Sequence, residues 1–339
     1  MSFALDIVRN IVAHRSAEIP DPIIDRWVFG DRVPSPLPAA HALEAVARLI
    51  ENQAEYDHVG SLLDARSRKL LGDVITYRAL GPVRYALPMS TPDYMDLYAK
   101  AATCRIGPSE QVFPPFLFET FAVEDQGHRL ELGAWLGNIV ATFLVRQYYL
   151  DGPRRIQPET GDVVIDAGGC FGDTALAFAA SVGQTGRVFS FDPLPAHQAV
   201  MRANFDRNPQ LAERIALVPH ALSHAAGETV RFAAKGAGSF MHAQGEIEAR
   251  TDTIDQLVER QGLDRIDFIK MDIEGAERSA LIGARATIAR HKPKLAISGY
   301  HSEDDLIIIP MLIKRLNPDY EIHIGHHTNF EWETVVYAA

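Results

Sequence analysis

The chain has 339 residues, with 33 Lys and Arg against 44 Asp and Glu, and the resulting net charge of −11 gives no general attraction to nucleic acid or anionic membranes. A hydrophobic fraction of 47% with 23% charged residues is the composition of a folded chain, far from that of disordered ones. The only two cysteines, Cys104 and Cys170, make neither a disulfide framework nor a zinc motif, which fits a reducing compartment.

The opening stretch, MSFALDIVRNIVAHRSAE, predicts a short amphipathic helix and lacks the basic region, apolar core and cleavage site of a signal peptide. The longest nearly uncharged apolar run, 132–145, falls short of the roughly 18–20 residues that span a bilayer. A cytoplasmic protein with no membrane partner is expected. Five prolines in 19–38 predict an extended surface segment. The spacing of Leu43, Val46, Leu49, Ile50, Leu62 and Leu63 predicts one or two amphipathic helices over 39–71, and 116–134 reads as a hairpin turning at Glu124 to Gly127. Residues 1–140 are thus expected to form a mostly helical cap for substrate recognition or oligomerisation.

After Gly161, short β-branched runs alternate with helical stretches, the pattern of parallel βαβ units. Strands are predicted at 163–167, 187–191, 215–218, 267–271, 294–298, 320–324 and 334–337. Helices are predicted at 173–181, 196–208, 254–261, 276–290 and 303–316, the last with Ser302 as N-cap and a kink at Pro310. The sixth and seventh strands leave no room for a helix between them. Residues 141–339 therefore read as an α/β domain, a seven-stranded doubly wound Rossmann-like sheet with an antiparallel last strand. That is the layout of class I methyltransferases and not of dinucleotide dehydrogenases.

The first strand runs into Asp166-Ala-Gly-Gly-Cys-Phe-Gly-Asp-Thr174, where Gly168, Gly169 and Gly172 permit close approach of backbone to ligand. A dinucleotide site needs a glycine where Cys170 stands. A sulfonium and an ammonium, by contrast, are attracted by carboxylates in this turn, which favours S-adenosyl-L-methionine. The second strand ends in Asp192-Pro193, a carboxylate placed to accept from ribose hydroxyls, a role that NAD would use equally well. The fourth strand ends in Lys270-Met-Asp272-Ile-Glu274-Gly-Ala-Glu277. So many like charges at a sheet's C-terminal edge call for a cation, whether a metal, a neighbouring Lys or Arg, or the substrate's own charge. Glu277 also suits the N-terminus of the following helix.

In order and spacing, these segments, with Tyr300-His301 and Glu333-Thr-Val-Val-Tyr337, resemble the FkbM-type S-adenosylmethionine-dependent methyltransferases over about residues 140–339. The resemblance implies donor binding by Asp166, Gly168, Gly169, Cys170, Phe171, Gly172, Asp173, Thr174, Asp192, Pro193 and Asp272, with Gln147 from the segment before the first strand. It also implies O-methylation of a sugar or natural-product hydroxyl. Phe-Asp-Pro stands where many members have Glu-Pro, and Cys170 where many have Asn.

Methyl transfer to a hydroxyl needs in-line orientation and a base for the departing proton. His301, directly after the fifth strand, is the expected base, with Asp272 or Glu274 orienting it or the acceptor. His326 and His327 are weaker candidates, since neighbours on a strand point to opposite faces. No metal is expected, because no metal-spacing motif accompanies these residues. The expected partner is a small-molecule acceptor, glycosyl or polyketide-like, neutral or cationic rather than phosphorylated, with self-association into a homo-oligomer left open. Two other readings compete. One is an NAD(P)-dependent oxidoreductase. The other is a non-catalytic methyltransferase-like scaffold that binds a partner through its N-terminal residues. Residues 234–252 and the N-terminal segment are expected to cover the acceptor pocket.

Overall fold

The computed structural model describes residues 2–152, 154–233 and 244–339, with Trp27 by its backbone alone, so part of the expected pocket cover, 234–243, lies outside the described residues. An antiparallel sheet of β1 (Arg105–Pro108), β2 (Phe118–Asp125) and β3 (His128–Trp135) comes first, with β2 and β3 forming the expected hairpin. Next in the chain are β4 (Val163–Ala167), β5 (Arg187–Phe191) and β6 (Ile215–Val218), then a small sheet of β7 (Ala221–Leu222), β8 (Thr229–Phe232) and β9 (Ile247–Asp252). The chain ends with β10 (Phe268–Met271), β11 (Lys294–Ser298), β12 (Ile322–His326) and β13 (Thr334–Ala338). A mixed seven-stranded sheet results, in the order β12-β13-β11-β10-β4-β5-β6. This is the expected doubly wound layout, and the strand order reverses beside β4, where such sheets bind ligands at their carboxyl ends.

Most boundaries agree with the sequence reading, and the departures have local causes. The sixth strand begins two residues later than expected, at Ile322, because Asn317 to Tyr320 form a turn in which Tyr320 N donates to Asn317 O. The helix expected at 276–290 is two, Glu277–Ile282 and Arg285–His291. A side chain at the intervening Gly283 would press on the Ser223 carbonyl, 2.1 Å from an ideal Cβ. Ser302 is not an N-cap: the helix starts at Asp305, whose carboxylate accepts from Ser302 N (2.7 Å), and it continues through Pro310. Within the proline-rich segment lies a short helix, Arg26–Phe29. No helix among the described residues is long and apolar enough to cross a membrane.

By contacts the chain divides into two compact units: residues 1–96, 299–311 and 321–337, and residues 97–298, 312–320 and 338–339. In the first unit, helix Phe3–His14 buries Phe3, Ala4, Ile7 and Ile11 and packs along helix Ala65–Leu80. Asp64 caps the latter helix, accepting from Ser67 N (2.8 Å), Ser67 Oγ (3.0 Å) and His323 Nδ1 (2.6 Å). Leu63 pairs with Ile322, and Ile324 N donates to Ser67 Oγ (3.0 Å), so this helix start covers backbone groups of β12 that an open edge would expose. His326 and His327 are neutral at pH 7: burial pulls them down to about 3 and about 4. They bond to Thr334 Oγ1 and Tyr337 Oη, both at 2.8 Å.

In the second unit, Asn204 of helix Pro195–Arg207 ties the hairpin to the glycine loop. Its Nδ2 donates to Gly133 O (2.9 Å) and Phe171 O (2.8 Å), and its Oδ1 accepts from Gly133 N (2.7 Å). A π-helix, Ile139–Val145, leads to a left-handed Arg146 and on to Gln147, Tyr148 and Tyr149.

Replacing Asp64 with Ala should lower unfolding free energy by about 0.5–2 kcal/mol at pH 7, as loss of an N-cap does. Burial works against the Asp64 charge, but its bonds to Ser67 and His323 outweigh it and hold the carboxyl below the usual range. The stabilisation is therefore present above the ordinary carboxylate pKa and fades as pH falls through the lowered one. Urea titrations of both proteins at pH 7 and pH 3 check this; an equal gap at both pH values contradicts it.

Candidate active site

The register of the parallel strands sets Ser190, Asp166 and Lys270 opposite one another on β5, β4 and β10. Partners in register point to one face, so these polar groups meet inside the molecule. Asp166 is fully buried and accepts from Ser190 Oγ (2.7 Å) and Thr174 Oγ1 (3.0 and 3.2 Å). Lys270 Nζ lies 3.2 Å from Asp166 Oδ1 and donates to the carbonyls of Ala167 (3.1 Å) and Gly168 (2.6 Å). Burial alone would lower the Lys270 pKa, but Asp166, Asp272 and Asp173 outweigh it and raise it, so the ammonium stays charged. Lys270 is not among the site residues expected from the sequence. The available signal was a lysine at an inward position of the apolar run Phe268 to Met271, level with an aspartate.

Above this pair lies the glycine loop. An ideal Cβ on Gly168, which has φ +82°, would lie 1.8 Å from the Asp272 carbonyl, and one on Gly169 would lie 2.3 Å from Ser190 Oγ. Only glycine lets the β4 loop close on the β10 loop and on β5. The loop's backbone donors are largely engaged: Gly168 N and Gly169 N bond to Phe191 O, Cys170 N to Asp192 Oδ2 (2.9 Å), and Gly172 N to Gly169 O. Asp173 stands in the first turn of helix Asp173–Val182, and burial raises its pKa, opposed by the hydrogen bond from Thr142 Oγ1 (2.6 Å) of the π-helix and by Lys270.

Cys170 is partly buried against Phe118, Phe171 and Val200, at φ +46°. Burial, then Asp192 and Asp173, push its thiol pKa well up, so it is a poor nucleophile at neutral pH. Phe171 is fully buried among Phe113, Phe118 and Trp135, with ring centroids at 5.1, 4.9 and 5.2 Å. Asp192, also buried, accepts from Leu194 N (2.9 Å), Cys170 N and the ring of His197 (3.0 Å). Pro193 is half-buried beside it.

At the β10 end, Asp272 and Glu274 are half-buried, Glu274 at φ +55° and Gly275 at φ +95°. Tyr148 Oη donates to Asp272 Oδ2 (2.7 Å), and its ring lies 5.1 Å from Lys270 Nζ. Glu277 is buried, and its Oε1 accepts from Ile273 N (2.7 Å), which fixes the turn. Gln147 is buried next to Tyr148 in the chain. The second unit thus brings together every expected donor-site residue and both expected acids. His301 belongs to the first unit, half-buried with its ring 4.2 Å from that of Tyr300.

The model of the methyltransferase FkbM domain matches residues 166–328. No curated protein matches the chain. Among solved structures, methyltransferase FkbM from Methylobacillus flagellatus KT is similar, with a TM-score of 0.55 and 22% identity over 86% of this chain and 60% of that one. This chain thus spans less than two thirds of that protein's length. Fibrillarin of Aeropyrum pernix, in complex with natively bound S-adenosyl-L-methionine, aligns with a TM-score of 0.36 and 11% identity over 69% of this chain and 100% of that one. The fold is that of the Rossmann-like methyltransferases. Residues 166–328 are thus similar to the FkbM methyltransferase domain.

Removing one partner of a buried ion pair leaves the other charge uncompensated, at a cost of about 3–5 kcal/mol. Lys270→Met should therefore destabilise the protein by about that much, and adding Asp166→Asn should restore part of the loss. Chemical denaturation of the single and double variants measures it; a single variant within about 1 kcal/mol of wild type would show that the pair does not hold the loop.

Proposed function

We propose that the protein is an S-adenosyl-L-methionine-dependent O-methyltransferase acting on a hydroxyl of a sugar or natural-product small molecule. The observation that carries this reading is the state of the glycine loop. In a pyrophosphate site the loop and helix N-terminus offer unoccupied backbone N–H groups to an anion. Here the N–H groups of Gly168, Gly169, Cys170 and Gly172 already have acceptors in the protein, and a carboxylate, Asp173, occupies the first turn of the helix. Such a loop repels phosphate and suits a cation. The carboxylates of Asp272 and Glu274 at the β10 end add negative charge on the same side of the sheet.

These residues fit the donor. Asp192 would accept from a ribose hydroxyl, the loop from Asp166 to Thr174 would face the methionine portion, and Asp272 would lie nearest its charged groups, with Gln147, Phe171 and Pro193 bordering the site. When bound, the donor supplies an electrophilic methyl group, and the chain supplies orientation and water exclusion. Lys270 holds the loop, and Tyr148 holds Asp272 in one orientation. His301 is assigned as the base for the acceptor hydroxyl, with Asp272 or Glu274 orienting the acceptor.

Calorimetric titration with S-adenosylhomocysteine and, separately, NADH tests the donor. Binding of the first and not the second is expected; the reverse supports an oxidoreductase, and binding of neither supports a scaffold. His301→Ala should lower methyl transfer to a responsive hydroxyl acceptor by about 10²–10⁴-fold while leaving S-adenosylhomocysteine affinity within about twofold. A variant that turns over at the wild-type rate removes His301 from the mechanism.

A further inference from the structure

One buried, hydrogen-bonding side chain in the donor-site unit has no role in the reading above. His197 lies in the first turns of helix Pro195–Arg207, only 4% exposed, with Nδ1 3.0 Å from Asp192 Oδ2. An ionised carboxylate can only accept, so Nδ1 carries a proton and donates it. The imidazole packs against the rings of Phe171 and Phe113, both with centroids at 6.0 Å, which fixes its plane. On the Asp192 carboxylate, Oδ2 accepts from His197 and from Cys170 N, while Oδ1 accepts from Leu194 N. The main chain of Asp192 is held as well, its N donating to Val218 O (3.2 Å) and its O accepting from Gln198 Nε2 (3.0 Å).

A carboxylate offers about four acceptor sites, and these three bonds leave the last on Oδ1. We propose that His197 is a positioning residue of the donor site, which locks Asp192 in the one rotamer that keeps its remaining Oδ1 acceptor for a ribose hydroxyl. This rests on reading Asp192 as the ribose acceptor. The short aspartate side chain makes the lock useful. With one methylene fewer than glutamate, its reach depends on a fixed χ1, and a turned carboxylate would also release Cys170 N and loosen the glycine loop. The His197 bond to Asp192 and its ring contacts with Phe113 and Phe171 thus tie the Asp192 carboxylate to the aromatic cluster beside the donor loop.

The test measures S-adenosylhomocysteine binding by calorimetry for wild type, His197→Phe and His197→Asn, with thermal melting of each. Phenylalanine keeps the ring among its aromatic neighbours and removes the donor, whereas asparagine places an N–H at a similar reach. His197→Phe should weaken binding about tenfold, the scale of a hydrogen bond to a charged group, and His197→Asn should restore it to within about threefold. In turnover, His197→Phe should raise the donor KM and leave kcat within about twofold. The 2′-deoxy and 3′-deoxy analogues of S-adenosylhomocysteine supply a readout that general destabilisation would not move. The wild-type preference for the intact ribose should shrink in His197→Phe. If that variant does not fold, His197→Leu takes its place in the same measurements. Wild-type binding with unchanged affinity and ribose preference in the apolar variant overturns the proposal alone. Absence of wild-type binding overturns the donor reading and this proposal with it.

Discussion

A lysine ammonium and an aspartate carboxylate buried side by side are costly to remove from water unless they pair and bond to further groups. Lys270 and Asp166 meet both conditions, with Ser190 and Thr174 on the carboxylate and two loop carbonyls on the ammonium. The loop carbonyls connect stability to function. The backbone of Ala167 and Gly168 is fixed by the same cation that neutralises Asp166, so the shape of the loop and the electrostatics beneath it cannot vary independently. Gly168 then brings the loop onto the Asp272 carbonyl, and the β4 and β10 ends become one structure.

Around that pair the unit concentrates carboxylates. Asp166, Asp173, Asp192 and Glu277 are buried, each with donors of its own, while Asp272 and Glu274 are half-buried. Asp166, Asp272 and Asp173 of this group act on Lys270 and keep it charged. A pyrophosphate would meet a loop in which the N–H groups of Gly168, Gly169, Cys170 and Gly172 are taken, and a helix that begins with Asp173. Part of the net acidity of the chain thereby acquires a location.

Much of the fold could be read in the sequence because the central strands are short apolar runs buried on both sides, and turn residues mark their ends. The glycine loop, Asp192 and the Asp272 turn could be read for a related reason: glycines and carboxylates at strand ends are rarely tolerated without a task. The roles of Lys270 and His197 were not legible because Asp166 lies about a hundred residues from Lys270 in sequence, and His197 meets Asp192 only through the direction in which helix Pro195–Arg207 leaves β5. The π-helix has no sequence period to announce it, and nothing local reveals that residues 1–96 share a compact unit with segments beyond 299. The close packing of Gly283 on the Ser223 carbonyl involves a residue some sixty positions back.

The proposed function requires that the loop held by Lys270 and the Asp192 carboxylate form one adenosine-binding surface for a cationic methyl donor. A crystal structure with S-adenosylhomocysteine tests it most directly. The expected result is a ribose hydroxyl within hydrogen-bonding distance of Asp192 Oδ1, with the His197 bond to Oδ2 retained and the homocysteine portion along the loop from Asp166 to Thr174. Nucleoside bound elsewhere, or an Asp192 carboxylate turned away from the ribose, would contradict it.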